Sequence, residues 1–80
     1  MKRNMFFARI EDIGISSQVL QKAVQEVLGK PVLVTAIESR SVDLDQHVCI
    51  AVFRGACFED FSKQDRAYLL LSCQMEIVSC

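Results

Sequence analysis

Two hydrophobic periods alternate along the chain. From Met5 to Glu11 the period is two, with Phe6, Ala8 and Ile10 on one side and Met5, Phe7 and Arg9 on the other. Bulky apolar residues on both sides predict a central strand. The period then changes to that of a helix. Val19, Leu20, Ala23, Val24, Val27 and Leu28 form one stripe, while Gln18, Gln21, Lys22, Gln25 and Glu26 fill the opposite side. Ser16 is placed to cap the helix, with Ile15 and Leu20 spaced as a hydrophobic staple, and Gly29 and Pro31 stop it.

Period two returns in the β-branched stretch Val32 to Val42, which turns through Asp43-Leu44-Asp45-Gln46 into His47 to Arg54. These segments predict a hairpin. In its second strand Val48, Ile50 and Val52 point one way, and His47, Cys49, Ala51 and Phe53 the other. Arg54-Gly55-Ala56 opens a loop carrying Cys57 and Phe58. Ser62 and Asp65 then supply the capping-box spacing for a second helix containing Ala67, Leu70 and Leu71. Beyond Cys73, Met75 and Ile77 alternate with Gln74 and Glu76, the pattern of a fourth strand. No glycine marks the change from helix to strand, so the competing reading is one helix from Lys63 to about Val78 over a three-stranded sheet.

Strand, helix, strand, strand, helix, strand is the ferredoxin-like α+β order, with an antiparallel sheet and both helices on one of its faces. The plan puts the first and third strands at the centre, and these have the most apolar residues on both faces. Eighty residues suffice for one domain, 1–80, with a single core. Apolar residues make up 51% of the chain, which excludes disorder. The longest apolar runs, Met5 to Ala8 and Tyr68 to Leu71, are far shorter than the ~20 residues of a membrane-spanning helix. The segment from Met1 breaks its hydrophobic stretch at Arg9 and Glu11 and does not read as a signal peptide, so a cytoplasmic protein is expected.

Charge narrows the function classes. Nine basic and ten acidic residues are scattered along the chain, giving a net charge of −1. That is not the footprint of a nucleic-acid binder, a membrane-surface binder or an acidic mimic of nucleic acid.

Cys49, Cys57, Cys73 and Cys80 contain no Cys-x-x-Cys pair for zinc or redox exchange. Free thiols in a reducing compartment are expected, with Cys49, Cys57 and Cys73 acting as small apolar fillers and Cys80 the most reactive. Asp43, Asp45 and His47 alternate and could converge on a divalent ion, although Asp is common at hairpin tips for its bonds to nearby amides. His47 and Cys49 share a strand face, the only arrangement that suggests a thiol–imidazole pair. No glycine-rich phosphate loop or paired-carboxylate site accompanies it. The expectation is therefore a protein without enzymatic activity, metal or cofactor.

The sheet face opposite the helices carries the functional expectation. With Phe6, Ala8, Ile10, Val48, Ile50 and Val52 assigned beneath the helices, Met5, Phe7, Cys49, Ala51 and Phe53 stand on the uncovered face as a partner-binding patch. Arg9 and Arg40 are long enough to lie across it. Aromatic residues there resemble RNA-recognition-motif domains in placement, because that family stacks bases on the same strands. The segment Val48 to Gly55 departs from the family signature by lacking its basic-glycine-aromatic opening, and Met5 to Ile10 matches the companion motif only loosely.

Gln18, Gln21 and Gln25 give the first helix an uncharged stripe that could form a secondary docking surface. The sequence thus predicts an interaction module that binds a protein partner or itself. Its size matches adaptors or inhibitors of larger assemblies, such as those carried by phages. The alternatives are a small-ligand regulatory domain, for which Glu11 to Ser16 offers one glycine and two acids, and an RNA-binding domain using the sheet face.

Overall fold

The computed structural model describes residues 4–11, 14–43 and 46–79, with the backbone alone at 40–43, 46 and 47. Strand β1 (Met5–Ile10), helix α1 (Ser17–Leu28), strands β2 (Leu33–Asp43) and β3 (Gln46–Arg54), helix α2 (Lys63–Cys73) and strand β4 (Met75–Val78) follow in chain order, with a short 3₁₀ turn at Phe58–Asp60. The sheet order is β2-β3-β1-β4, every neighbouring pair antiparallel. This is the ferredoxin-like α+β arrangement, with β1 and β3 central as the sequence predicts.

Local chemistry sets the boundaries. Ser16 Oγ accepts a hydrogen bond from Val19 N–H at 3.2 Å, and Gly29 closes α1 in the left-handed conformation, φ 70°. Ser62 and Asp65 cap α2 reciprocally: Ser62 Oγ accepts from Asp65 N–H at 3.0 Å, and Asp65 Oδ2 from Ser62 N–H at 3.3 Å. Gln74 ends α2. It adopts φ 53°, its N–H bonds the carbonyl of Leu69, and the chain turns into β4 without a glycine. Met75 and Ile77 are buried and Glu76 is exposed, so the strand reading holds over the long-helix alternative.

The core lies between the sheet and the helices. Phe6, Ala8 and Ile10 from β1, Cys49, Ala51 and Phe53 from β3, and Met75 and Ile77 from β4 meet Leu20 and Val24 of α1 and Leu69 of α2. Phe6 stacks on Phe53 with ring centroids 4.7 Å apart and planes 7° apart, and Phe61 meets Phe6 edge-on at 4.9 Å. Such pairs contribute roughly 0.5–1.5 kcal/mol beyond simple burial.

Four side chains depart from the helical stripes read in the sequence, the exposed Ala67 of α2 among them. Val19 on α1 and Leu70 and Leu71 on α2 are exposed, whereas Leu69 supplies the α2 contact with the core. Val19 sits at the edge of the stripe occupied by Leu20 and Val24. The short α2 touches the sheet along a narrow line on which Leu69, not its neighbours, falls.

Candidate interaction surface on the open sheet face

Register determines what the uncovered face presents. In antiparallel pairing, directly opposed residues point the same way. Phe6 is paired with Phe53, Ala8 with Ala51 and Ile77, and Ile10 with Cys49 and Met75, and all are buried beneath the helices. The alternate positions face outward. One row crosses all four strands as Ala36–Val52–Phe7–Val78, flanked on one side by Leu33–Arg54–Met5 and on the other by Glu38–Ile50–Arg9–Glu76. Val48 extends the β3 column.

This corrects three of the five residues of the patch expected from the sequence. Met5 and Phe7 stand on the open face as expected, both half-buried. Cys49, Ala51 and Phe53 do not: they are core residues, and Phe53 is fully inaccessible. Val48, Ile50 and Val52, expected beneath the helices, take the outward positions instead. The cause is steric. The inward rows unite Ala8 with Ala51, small residues that leave room for the helices, while Phe6 and Phe53 complete each other's packing. With Phe53 inside, Phe7 is the one aromatic side chain on this face among the described residues. The placement that resembled RNA-recognition motifs is thereby lost.

The glutamine stripe is also reassigned in part. Gln18 is exposed, but Gln21 and Gln25 are half-buried and point their amides at β2. Gln21 Oε1 accepts a hydrogen bond from Val34 N–H at 3.2 Å, and Gln25 Oε1 accepts one from Val32 N–H at 3.3 Å. These bonds fasten α1 to the start of the edge strand and satisfy donors that an edge otherwise offers to other chains. No sequence signal marked this role, because the two residues share a helical face with solvent-directed Lys22.

The thiols are distributed as fillers rather than as a site. Cys49 and Cys57 are buried and Cys73 half-buried, all three unpaired; Cys80 lies outside the described residues. Burial pushes the Cys57 thiol up from its ordinary value, reinforced by hydrogen bonds involving Glu59 and Asp60 and by the Asp60 charge, so it is neutral at physiological pH. Asp60 anchors this corner. Its Oδ2 accepts from Cys57 N–H at 2.9 Å and from Lys30 Nζ at 3.1 Å, and these contacts hold its carboxyl below the usual range.

Among the described residues no three His, Cys, Asp or Glu side chains gather as a metal site. Of the alternating Asp43, Asp45 and His47, Asp45 lies outside the described residues, and at Asp43 and His47 only the backbone is described. Cys49 faces the core, so a thiol–imidazole pair with His47 has no support from its side.

On the opposite side of the molecule a groove of 420 Å³ opens between α1 and α2, bordered by Val19, Lys22, Glu26, Tyr68 and Cys73. It brings together charges of both signs and a thiol without an imidazole. No described helix is long and apolar enough to cross a membrane. No protein-family model, curated protein or solved structure matches the chain.

Proposed function

We propose that this chain is a non-enzymatic protein–protein interaction module, an adaptor or an inhibitor of a larger assembly, that docks through its open sheet face. The observation that carries this reading is the Ala36–Val52–Phe7–Val78 row, apolar across the full width of the sheet and without a second layer over it among the described residues. Met5, Ile50 and Val48 widen the row into a continuous patch. Contiguous apolar surface of this kind on a small domain marks a place where another molecule removes it from water. Charged residues, Arg9, Arg54, Glu38 and Glu76, surround the apolar centre, the arrangement of a dry core within a polar rim.

Site-specific photocrosslinking in the native host tests the reading. A crosslinking residue at Val52 is expected to yield a discrete protein adduct that the same residue at Leu71, on the helical side, does not yield. Adducts from Leu71 alone would assign docking to the helices and contradict the proposal.

A further inference from the structure

We infer that the occupant of the open sheet face is a second copy of this chain, packed sheet on sheet about a twofold axis that runs along the Ala36–Val52–Phe7–Val78 row. This rests on the docking role proposed for that face and specifies its partner.

Charge selects both the partner and the axis. The two rows beside the apolar row carry two arginines, Arg54 and Arg9, and two glutamates, Glu38 and Glu76, so these rows are electrically balanced. A polyanion would leave the glutamates opposed to like charge. A second copy brings the same balance, and the arrangement is polar along the strands, with Arg54 in one flanking row and both glutamates in the other. A half-turn about the apolar row lays the Leu33–Arg54–Met5 row of one copy over the Glu38–Ile50–Arg9–Glu76 row of the other. Arg54 then lies over Ile50 of the second copy, one strand from Glu38 on β2 and one from Arg9 on β1; it turns toward Glu38, while Met5 covers the aliphatic stem of Arg9, whose neighbour in its own row is Glu76. The alternative axis, along the strands, places β2 over β4 and sets Glu38 against Glu76. That juxtaposition of like charges opposes it.

Size supports the same occupant. Four strands about 4.8 Å apart, with six residues of about 3.4 Å each on the longer ones and four on β4, define a face of at most roughly 19 by 20 Å. Side-chain relief raises this to about 500–600 Å² of accessible surface per copy, or about 1,000–1,200 Å² in total, the lower end for a specific interface. The area per copy is close to a tenth of the 5575 Å² surface of the chain. A reversible dimer in the micromolar range is the expected strength. Both faces consist of half-buried β-branched and aromatic side chains, suited to the ~10 Å spacing of stacked sheets.

Sedimentation velocity over a concentration series, with thermal melts to confirm folding, tests the inference through four variants. Wild-type protein is expected to pass from monomer to dimer, and Val52→Lys to remain monomeric. Arg54→Glu and Glu38→Arg are each expected to weaken the dimer by about tenfold. The double variant, and an equimolar mixture of the two single variants, are expected to restore it, because each pairing then has one charge of each sign. Wild-type protein that stays monomeric to several hundred micromolar overturns the second-copy inference while leaving the docking face to its crosslinking test. A dimer that Val52→Lys does not weaken forms through another surface and likewise overturns the second-copy inference. Loss of the dimer in Val52→Lys without rescue by the charge exchange overturns the proposed axis and pairing.

Discussion

Phe53 lies face to face on Phe6, its ring centroid 4.7 Å away, on the helix-covered side of the sheet. That contact fixes the phase of β3 and, through it, the identity of the outward residues. Phe53→Ala is expected to cost about 3–5 kcal/mol, as for other fully buried aromatic side chains, a loss comparable to the whole stability of a small domain. Phe7→Ala, one position along β1 and only half-buried, is expected to cost no more than about 2 kcal/mol in the monomer. Urea denaturation of the two variants at low concentration gives the comparison directly.

The fold order was legible in the sequence because each element has its own period and its own stop. Ser16, Gly29 and the Ser62–Asp65 box lie where the helices begin and end. The phase of β3 was not legible from hydrophobicity, since Val48, Ile50 and Val52 are as apolar as Cys49, Ala51 and Phe53. One signal was nevertheless present. Arg54 shares its parity with Val48, Ile50 and Val52, as Arg9 does with Met5 and Phe7, and a charged residue at the end of a two-residue period marks the solvent side. The bonds from Gln21 and Gln25 to β2 depend on tertiary approach, which helical periodicity does not encode.

Those glutamine bonds set a second expectation. Gln21→Ala or Gln25→Ala removes the acceptor for a partly buried backbone N–H, of Val34 on β2 or of Val32 just before it, at a cost of about 0.5–1.5 kcal/mol each. Gln18→Ala, on the exposed side of α1, is expected to be nearly neutral. Amide hydrogen exchange at Val32 and Val34 should accelerate in the first two variants and remain unchanged in the third.

Backbone conformation provides a pair of opposite effects. Gln74 adopts a left-handed φ of 53° without needing its side chain for the turn, so Gln74→Gly is expected to stabilise the protein by up to about 1 kcal/mol. Gly55 has φ 108°, and a Cβ there would lie 2.8 Å from the Pro31 carbonyl oxygen. Gly55→Ala is expected to cost about 1–3 kcal/mol. Thermal melts of both variants read the two signs.

Acid sensitivity should concentrate at Asp60. Its carboxyl titrates below the ordinary value of 3.8 because the Cys57 N–H and the Lys30 ammonium favour the charged form. A depressed folded-state value stabilises the protein fully above the unfolded-state value, and that contribution is lost as the pH falls through the folded one. Asp60→Asn is therefore expected to lower the melting temperature at neutral pH and to converge with wild type near pH ~2. Equal differences at both pH values would show that the charge of Asp60 is not what its contacts stabilise.

The most direct test of the open sheet face as a binding surface is a dilution series followed by methyl NMR. As concentration rises, the methyl resonances of Val48, Ile50, Val52 and Val78 are expected to shift together along one binding curve, while those of Ile10, Leu20, Val24 and Leu69 in the core stay fixed. Shifts confined to Val19, Leu70 and Leu71 on the helices, or no shift at any methyl, would contradict self-association through this face.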